Sequence, residues 1–210
     1  MGKITFSLLS SLLLICSVSS RAEELELRAL VPEHVGLTQQ KSPMLCYYIS
    51  HTTSLPIRFT LIANHKSAPV AEVTLKPPSS PGIQEIRLED YNIVLEEDVQ
   101  YRWYVSVIQN ADSPSKDIVA GGVIERVDPR LVDYYGRPCK RSTVQGLREA
   151  GVWYDAFACV NQLIERNPED RSLRDLRNEL LGIPKSIPNH DLPLKPMGVL
   201  TTNRPTQGAA

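Results

Sequence analysis

The nine-residue stretch from Val99 to Val107, with the sequence VQYRWYVSV, decides the fold class of this chain. Tyr101, Trp103 and Val105 fall on one side of an extended backbone, because successive side chains of a β-strand point to opposite faces. Gln, Arg, Tyr and Ser occupy the intervening positions. The alternation therefore predicts a strand with one buried face.

Six other stretches before residue 128 have the features of short strands. Five of them alternate apolar and polar residues, whereas the stretch 117–127 is apolar on both faces, as expected for a strand inside a sheet. The five alternating stretches lie at residues 24–31, 45–49, 57–63, 71–75 and 86–88. Seven short strands separated by turn residues predict an antiparallel β-sandwich of immunoglobulin or fibronectin type over residues 23–128.

A leucine and a tyrosine stand six positions apart where the sixth predicted strand begins. Leu95 and Tyr101 have the spacing of the tyrosine corner of immunoglobulin-like sandwiches, in which the phenol bonds to the backbone of the preceding corner. A buried tyrosine hydroxyl usually finds such a partner. We therefore expect Leu95, Tyr101 and the neighbouring Trp103 to have structural roles.

After Pro138 the apolar residues recur at helical spacing, which predicts a linker over residues 129–140 and a helical hairpin over residues 141–184. In residues 151–170, GVWYDAFACVNQLIERNPED, small and apolar residues have the spacing of a tetratricopeptide helix, and a second helix is predicted at 170–182. A single repeat cannot bury its own apolar face. The hairpin is therefore expected to dock on the sandwich or on a partner.

The first helix of the hairpin also supplies the candidate interaction residues. Gly151 and Ala156 are small at the positions where a neighbouring helix is expected to approach most closely. If the helix instead presents an exposed apolar face, its large side chains become anchors for a partner. The candidate interaction residues are Trp153, Tyr154, Asp155 and Phe157.

The first 22 residues have the layout of a secretory signal peptide, with Lys3, an uncharged apolar run and a small-residue stretch. Cleavage is expected after Ser20 or Ala22, with Ala22 favoured. Attachment of a lipid to Cys16 is the alternative, which the bulky residue before Cys16 disfavours. The mature chain is expected to be exported, to the periplasm or beyond, with no transmembrane segment.

The composition is that of an ordinary globular domain, with 42% hydrophobic and 22% charged residues. The 23 Lys and Arg residues balance 24 Asp and Glu residues, which argues against a dedicated nucleic-acid binder. Residues 185–210 contain four prolines and few large apolar residues, which predicts a disordered, Pro-rich tail.

The sequence offers no pattern typical of a catalytic, cofactor or metal site, and no cofactor is expected. Asp155 is the most enzyme-like residue because Trp153 and Tyr154 flank it, although the dipole at the start of a helix favours an acid without any reaction. In the alternative function, a hydrolase or carbohydrate-acting enzyme, Asp155 would meet Glu149 or Asp117 only in the folded chain.

Three cysteines remain after the expected cleavage: Cys46, Cys139 and Cys159. An odd number leaves at least one thiol unpaired or bridged to another molecule. Cys139 and Cys159 are the expected pair if a disulfide forms, since one precedes a helix and the other lies on it. Cys46 alternates into a strand and is expected to be a small core residue.

The ordered combination of four segments resembles the bacterial family of domain of unknown function 928. The segments are LRALVPEHVGLTQQKSPMLCYYIS, SPGIQEIRL, VQYRWYVSVIQNADSPSKDIVAGGVIERV and REAGVWYDAFACVNQLI, and the resemblance covers residues 27–183. PMLCYY at 43–48 departs from the more aromatic run expected there. The resemblance implies an exported envelope protein of Gram-negative bacteria and carries no activity. The leading hypothesis is a non-enzymatic module that binds an envelope protein or peptide.

Overall fold

The computed structural model describes residues 24–130 and 132–183. The predicted signal peptide and the predicted Pro-rich tail lie outside these residues. The described chain has α+β architecture with two β-sheets followed by helices. The strands are β1 (Leu27–Leu30), β2 (Gly36–Thr38), β3 (Met44–Ile49), β4 (Ile57–Ala63), β5 (Ala71–Leu75), β6 (Gly82–Arg87), β7 (Gln100–Val107) and β8 (Ile118–Arg126). The helices are α1 (Arg141–Glu149), α2 (Trp153–Arg166) and α3 (Arg171–Leu180).

The smaller sheet has the order β1-β3-β6, and the larger sheet has the order β2-β8-β7-β4-β5. The predicted alternation is observed: Phe59 of β4 pairs with Val105 of β7, and Leu61 pairs with Trp103. All four side chains are fully buried. The strand β8, predicted to be internal, lies between β2 and β7.

The strand β2 was not predicted, and it makes the larger sheet mixed. Gly36 pairs with Ile124 and Thr38 pairs with Arg126 in a parallel register, so the expectation of seven purely antiparallel strands is wrong. Three residues are too few to show an alternating pattern. The parallel pairing joins segments far apart in the chain, which no local pattern reveals.

The C-terminal part contains three helices, whereas a hairpin of two was predicted. The additional helix, α1, ends in a Schellman motif: Val152 N–H donates to the carbonyl of Leu147, and Gly151 N–H donates to that of Arg148. Gly151 has a φ of +75°, a left-handed conformation that glycine adopts without strain. A Cβ at Gly151 would meet open space, so backbone conformation, and not the predicted close helix packing, accounts for this glycine.

The helices α2 and α3 run antiparallel, since Trp153 bonds to Leu180 and Asn161 bonds to Arg177. The helix α2 packs against β2 of the larger sheet and β3 of the smaller one. The helices and both sheets thus share one hydrophobic core. The expectation that the helical part docks on the β-structure agrees with these contacts.

Candidate functional site

The large aromatic residues of α2 belong to the core. Trp153, Tyr154 and Phe157 are at most 6% exposed, and the ring of Trp153 stacks on that of Phe157 with 4.8 Å between centroids. The Trp153 indole N–H donates to the carbonyl of Leu180 at 3.0 Å. These three residues are therefore not exposed anchors for a partner, because the sheets and α3 already cover the face they occupy.

Tyr154 joins α2 to two strands of the larger sheet. Its hydroxyl accepts a hydrogen bond from the indole N–H of Trp103 at 2.9 Å and donates one to the carbonyl of Val123 at 3.1 Å. Burial raises the pKa of this phenol above its ordinary value. The Tyr154 ring lies so close to Gly36 that a Cβ there would collide with it. The glycine of β2 is thus required by close approach of the helix.

Asp155, in the first turn of α2, ties the helix to the end of β2. One carboxylate oxygen accepts a hydrogen bond from the Thr38 hydroxyl at 2.5 Å, and the other accepts one from the backbone N–H of Gln39 at 3.0 Å. Burial raises the pKa of Asp155 to about 6, and the two hydrogen bonds oppose the shift. Both oxygens are engaged within the fold, so Asp155 has a structural role at this position.

Gln39 extends the same polar network to the linker, and sequence reasoning missed it together with Thr38. The Gln39 amide donates to the carbonyls of Pro129 and Val132, at 2.9 and 2.7 Å. Thr38 and Gln39 are at most 1% exposed. Two adjacent polar residues directly after an apolar position were the available signal, but that pattern is also typical of exposed turns.

A cavity of about 370 Å³ lies beside Asp155 and has walls from several parts of the chain. The smaller sheet contributes Glu85 and Arg87, the linker contributes residues between 134 and 139, and α2 contributes Asp155, Glu165 and their neighbours. The volume is within the range of small-ligand sites. Much of the lining is polar and solvent-exposed; the exposed polar residues are Gln40, Glu85, Arg87, Arg137, Gln162 and Glu165.

The charges in the cavity are of both signs, with an acidic excess at one wall. The Arg87 guanidinium forms a salt bridge with Glu85 at 2.6 Å. Hydrogen bonding to Glu85 raises the pKa of Arg87, and the charge of Glu165 acts in the same direction. At this wall, the carboxylates of Glu85 and Glu165 thus both act on the Arg87 guanidinium. On the linker side, Arg137 pairs with Asp133 and lies over the ring of Tyr134, 5.2 Å from its centroid.

The proposed carboxylate partners of Asp155 do not meet it. Asp117 lies in the turn between β7 and β8, where its carboxylate accepts from the backbone N–H of Gln109. Asp155 bonds to Thr38, which pairs with Arg126 at the opposite end of β8, about 25 Å away at the usual rise per residue. Glu149 is exposed at the end of α1 and does not line the cavity.

Cys139 and Cys159 also line the cavity, and both are free thiols in the structure. Their side chains contact each other; burial first and this contact second raise the pKa of Cys159 above its ordinary value. Cys46 is also a free, buried thiol on β3, where the Asn161 amide lies 3.9 Å from its sulfur. The cysteine pair that was expected from the sequence is thus brought together at the cavity wall.

The remaining residues that were predicted to be structural are buried in the hydrophobic core. The Tyr101 hydroxyl accepts a hydrogen bond from the backbone N–H of Glu96 at 3.1 Å, next to the fully buried Leu95. Trp103 and Ala156 are fully buried.

Residues 24–130 and 132–183 contain no group of three or more metal-binding side chains that could hold an ion. Within the same residues, no helix combines the length and apolar character that crossing a membrane requires.

The comparisons with known proteins point to one family. No curated protein matches the chain. The family model described as Domain of Unknown Function (DUF928) matches residues 16–189, which include every described strand and helix. The match covers more than half of the chain, and it agrees with the four segments that suggested this family. The chain therefore belongs to the DUF928 family.

Proposed function

We propose that the protein is an exported, non-enzymatic binding module of the cell envelope, whose cavity holds a short peptide segment of a partner protein. The observation that carries the proposal is the cavity beside Asp155, with amide groups and charges of both signs on its walls. A peptide matches such a lining, because its backbone both donates and accepts hydrogen bonds and its side chains can supply charge.

The glutamine side chains at the cavity favour a peptide backbone as the ligand. Gln40 and Gln162 are exposed at the cavity, and each amide offers two donors and one acceptor oxygen. The aromatic side chains of α2, in contrast, are turned into the core. The polar cavity is therefore a better candidate for recognition than the helix face that the sequence suggested.

The charge at the Arg87 wall favours a partner segment with a cationic side chain. Glu85 and Glu165 together exceed the single positive charge of Arg87. A lysine or arginine of the partner would balance this excess, in an exposed setting where one ion pair contributes modestly.

Titration of peptides of equal length and of positive, zero and negative net charge tests this proposal. We expect the positive peptides to bind best, and Glu165→Gln to weaken their binding about threefold to fivefold. Glu169→Gln is the matched control, since Glu169 is exposed in the turn before α3 and does not line the cavity.

Two outcomes would contradict the proposal. Equal affinities for positive and negative peptides would show that the peptide needs no cationic side chain. Equal effects of Glu165→Gln and Glu169→Gln would show that the peptide binds outside the cavity. Turnover of a bound peptide or of an oligosaccharide would instead favour the hydrolase alternative. Co-purification of the tagged chain from the envelope would then identify the natural partner.

The finer architecture is part of the same proposal. We infer an immunoglobulin-like sandwich for the two sheets, and the hydrogen bond between Tyr101 and Glu96 supports it because it is a corner contact of the predicted type. The antiparallel packing of α2 and α3 supports a tetratricopeptide-like arrangement of these helices.

A further inference from the structure

We propose that Cys139 and Cys159 form an intramolecular disulfide by exchange with a low-molecular-weight disulfide, and that the Cys139 sulfur is the first to attack the reagent. This inference goes beyond peptide binding and does not depend on it. The sequence predicts only which two cysteines would pair. The structure adds their contact, their unequal exposure and the cavity through which a reagent reaches them.

The packing of α1 against α2 brings the two thiols next to each other. Cys139 comes just before α1, and Cys159 lies in the second turn of α2, which packs on α1. The Thr143 hydroxyl donates to the carbonyl of Pro138 at 2.9 Å and so fixes the backbone next to Cys139. The Cys159 sulfur is also hydrogen-bonded to the backbone of Lys140 and contacts the side chain of Cys139. The two cysteine side chains are therefore already neighbours in the fold.

The two thiols differ in access. Cys139 is partly exposed on the linker, whereas Cys159 is only 4% exposed, and both line the cavity. Burial raises the pKa of Cys159, so that it remains a thiol, and thiols are poor nucleophiles. A disulfide that enters the cavity therefore meets Cys139 before Cys159.

The exchange has two balanced steps. The Cys139 thiolate attacks one sulfur of the reagent, forms a mixed disulfide and releases the first reagent thiolate. Cys159 then loses its proton, and its sulfur attacks that of Cys139, which forms the protein disulfide and releases the second reagent thiolate. The two cysteine protons end on the two released thiols, so the cysteines are oxidised and the reagent is reduced.

The position of the third described cysteine, Cys46, excludes it from this disulfide. Cys46 is 2% exposed on β3, and burial raises the pKa of its thiol above the ordinary range. It does not line the cavity that Cys139 and Cys159 share. We therefore expect Cys46 to remain reduced under the conditions that form the bridge.

Treatment of the reduced, folded chain with oxidised glutathione tests the proposal. The product should be lighter by two hydrogen atoms, and trypsin should release the peptide 131–140 linked to the peptide 149–166. Reduction should separate these two peptides. The peptide 42–58, which contains Cys46, should be recovered with an alkylated thiol when labelling follows unfolding.

Variants distinguish the order of the steps. Cys159→Ser should accumulate a stable mixed disulfide with glutathione on Cys139, and Cys139→Ser should take up little glutathione on Cys159. Cys46→Ser is the control and should oxidise like the natural chain. A bridge that contains Cys46, or glutathione that accumulates on Cys139 while Cys159 is intact, would overturn the proposal. The peptide map of the natural chain gives this answer even if a variant does not fold.

Discussion

The indole N–H of Trp103, on β7, donates a hydrogen bond to the hydroxyl of Tyr154, on α2, over 2.9 Å. The same hydroxyl donates to the carbonyl of Val123 on β8. Both side chains are almost completely buried, so the indole N–H of Trp103 depends on the Tyr154 hydroxyl for its partner. A single phenol thus fixes the position of a helix relative to two strands.

Replacement of this phenol is expected to destabilise the fold. Tyr154→Phe removes the acceptor of the Trp103 indole N–H and leaves that buried donor unsatisfied, which costs about 1–3 kcal/mol. Denaturant unfolding measures the loss of free energy. Tyr135→Phe, at an exposed ring of the linker, is the control and should change little. Equal unfolding midpoints for the natural chain and Tyr154→Phe would show that the bond does not contribute.

The corner before β7 gives a second prediction. Tyr101→Phe removes the group that accepts a hydrogen bond from the backbone N–H of Glu96, at a cost of about 1–3 kcal/mol. Thermal and denaturant unfolding should both report a less stable protein. If the denaturation midpoint is unchanged, the hydroxyl does not anchor the corner.

Substitutions of Gly151 test whether the left-handed backbone conformation requires a glycine in the turn between α1 and α2. Gly151→Ala should cost about 1–2 kcal/mol, because a residue with a Cβ is strained in the left-handed region. Gly151→Asn should cost less, since asparagine tolerates that region better than alanine. Equal losses for the two variants would indicate that steric contact, and not the φ angle, is responsible.

Asp155 should make stability depend on pH in a defined direction. Its pKa in the fold is about 6, above the ordinary carboxyl value of 3.8, so between these values the folded state binds more protons than the unfolded state. The contribution of Asp155 is therefore fully present below about pH 4 and is lost as the pH rises through 6, by about 3 kcal/mol at most.

The pH dependence can be measured against Asp155→Asn, which cannot titrate at this position. The unfolding free energy of the natural chain minus that of the variant should fall between pH 4 and 7. Asp112→Asn is the matched control, since it makes the same substitution in the exposed turn after β7. A difference that rises with pH would mean that the carboxylate is stabilised in its charged form.

Processing of the chain is the last prediction. The pattern of Lys3, an apolar run and small residues predicts cleavage after Ser20 or Ala22. The intact mass of the exported form should correspond to a chain that begins at Arg21 or Glu23. A full-length product, or one with lipid on Cys16 as the new first residue, would contradict this prediction.

The strands that could be predicted from the sequence are those with a long alternating pattern. The burial of Leu61 and Trp103 and the internal position of β8 agree with the two patterns found there. The strand β2 was missed because its three residues carry no period and pair with a distant strand. The helical period predicted α2, but it cannot say what covers a helix, so the burial of Trp153 and Phe157 required the folded chain.

The candidate site was predictable only in part, for a related reason. Asp155 was singled out by its aromatic neighbours, yet its partners Thr38 and Gln39 stand 117 and 116 positions away. The charges of Glu85 and Arg87 come from a third part of the chain. Local patterns describe single elements, whereas this cavity exists only where separate elements meet.

The contacts of α2 with a strand of each sheet also constrain the order in which the molecule folds. Thr38 must meet Asp155, and Cys46 must meet Asn161, across 117 and 115 positions of sequence. Closing loops of this length is entropically costly and slows folding. During synthesis, before α2 has been made, nothing from α2 covers Gly36 or the face of β3. The strands β2 and β3, which are synthesised early, are therefore covered only after α2 has been synthesised.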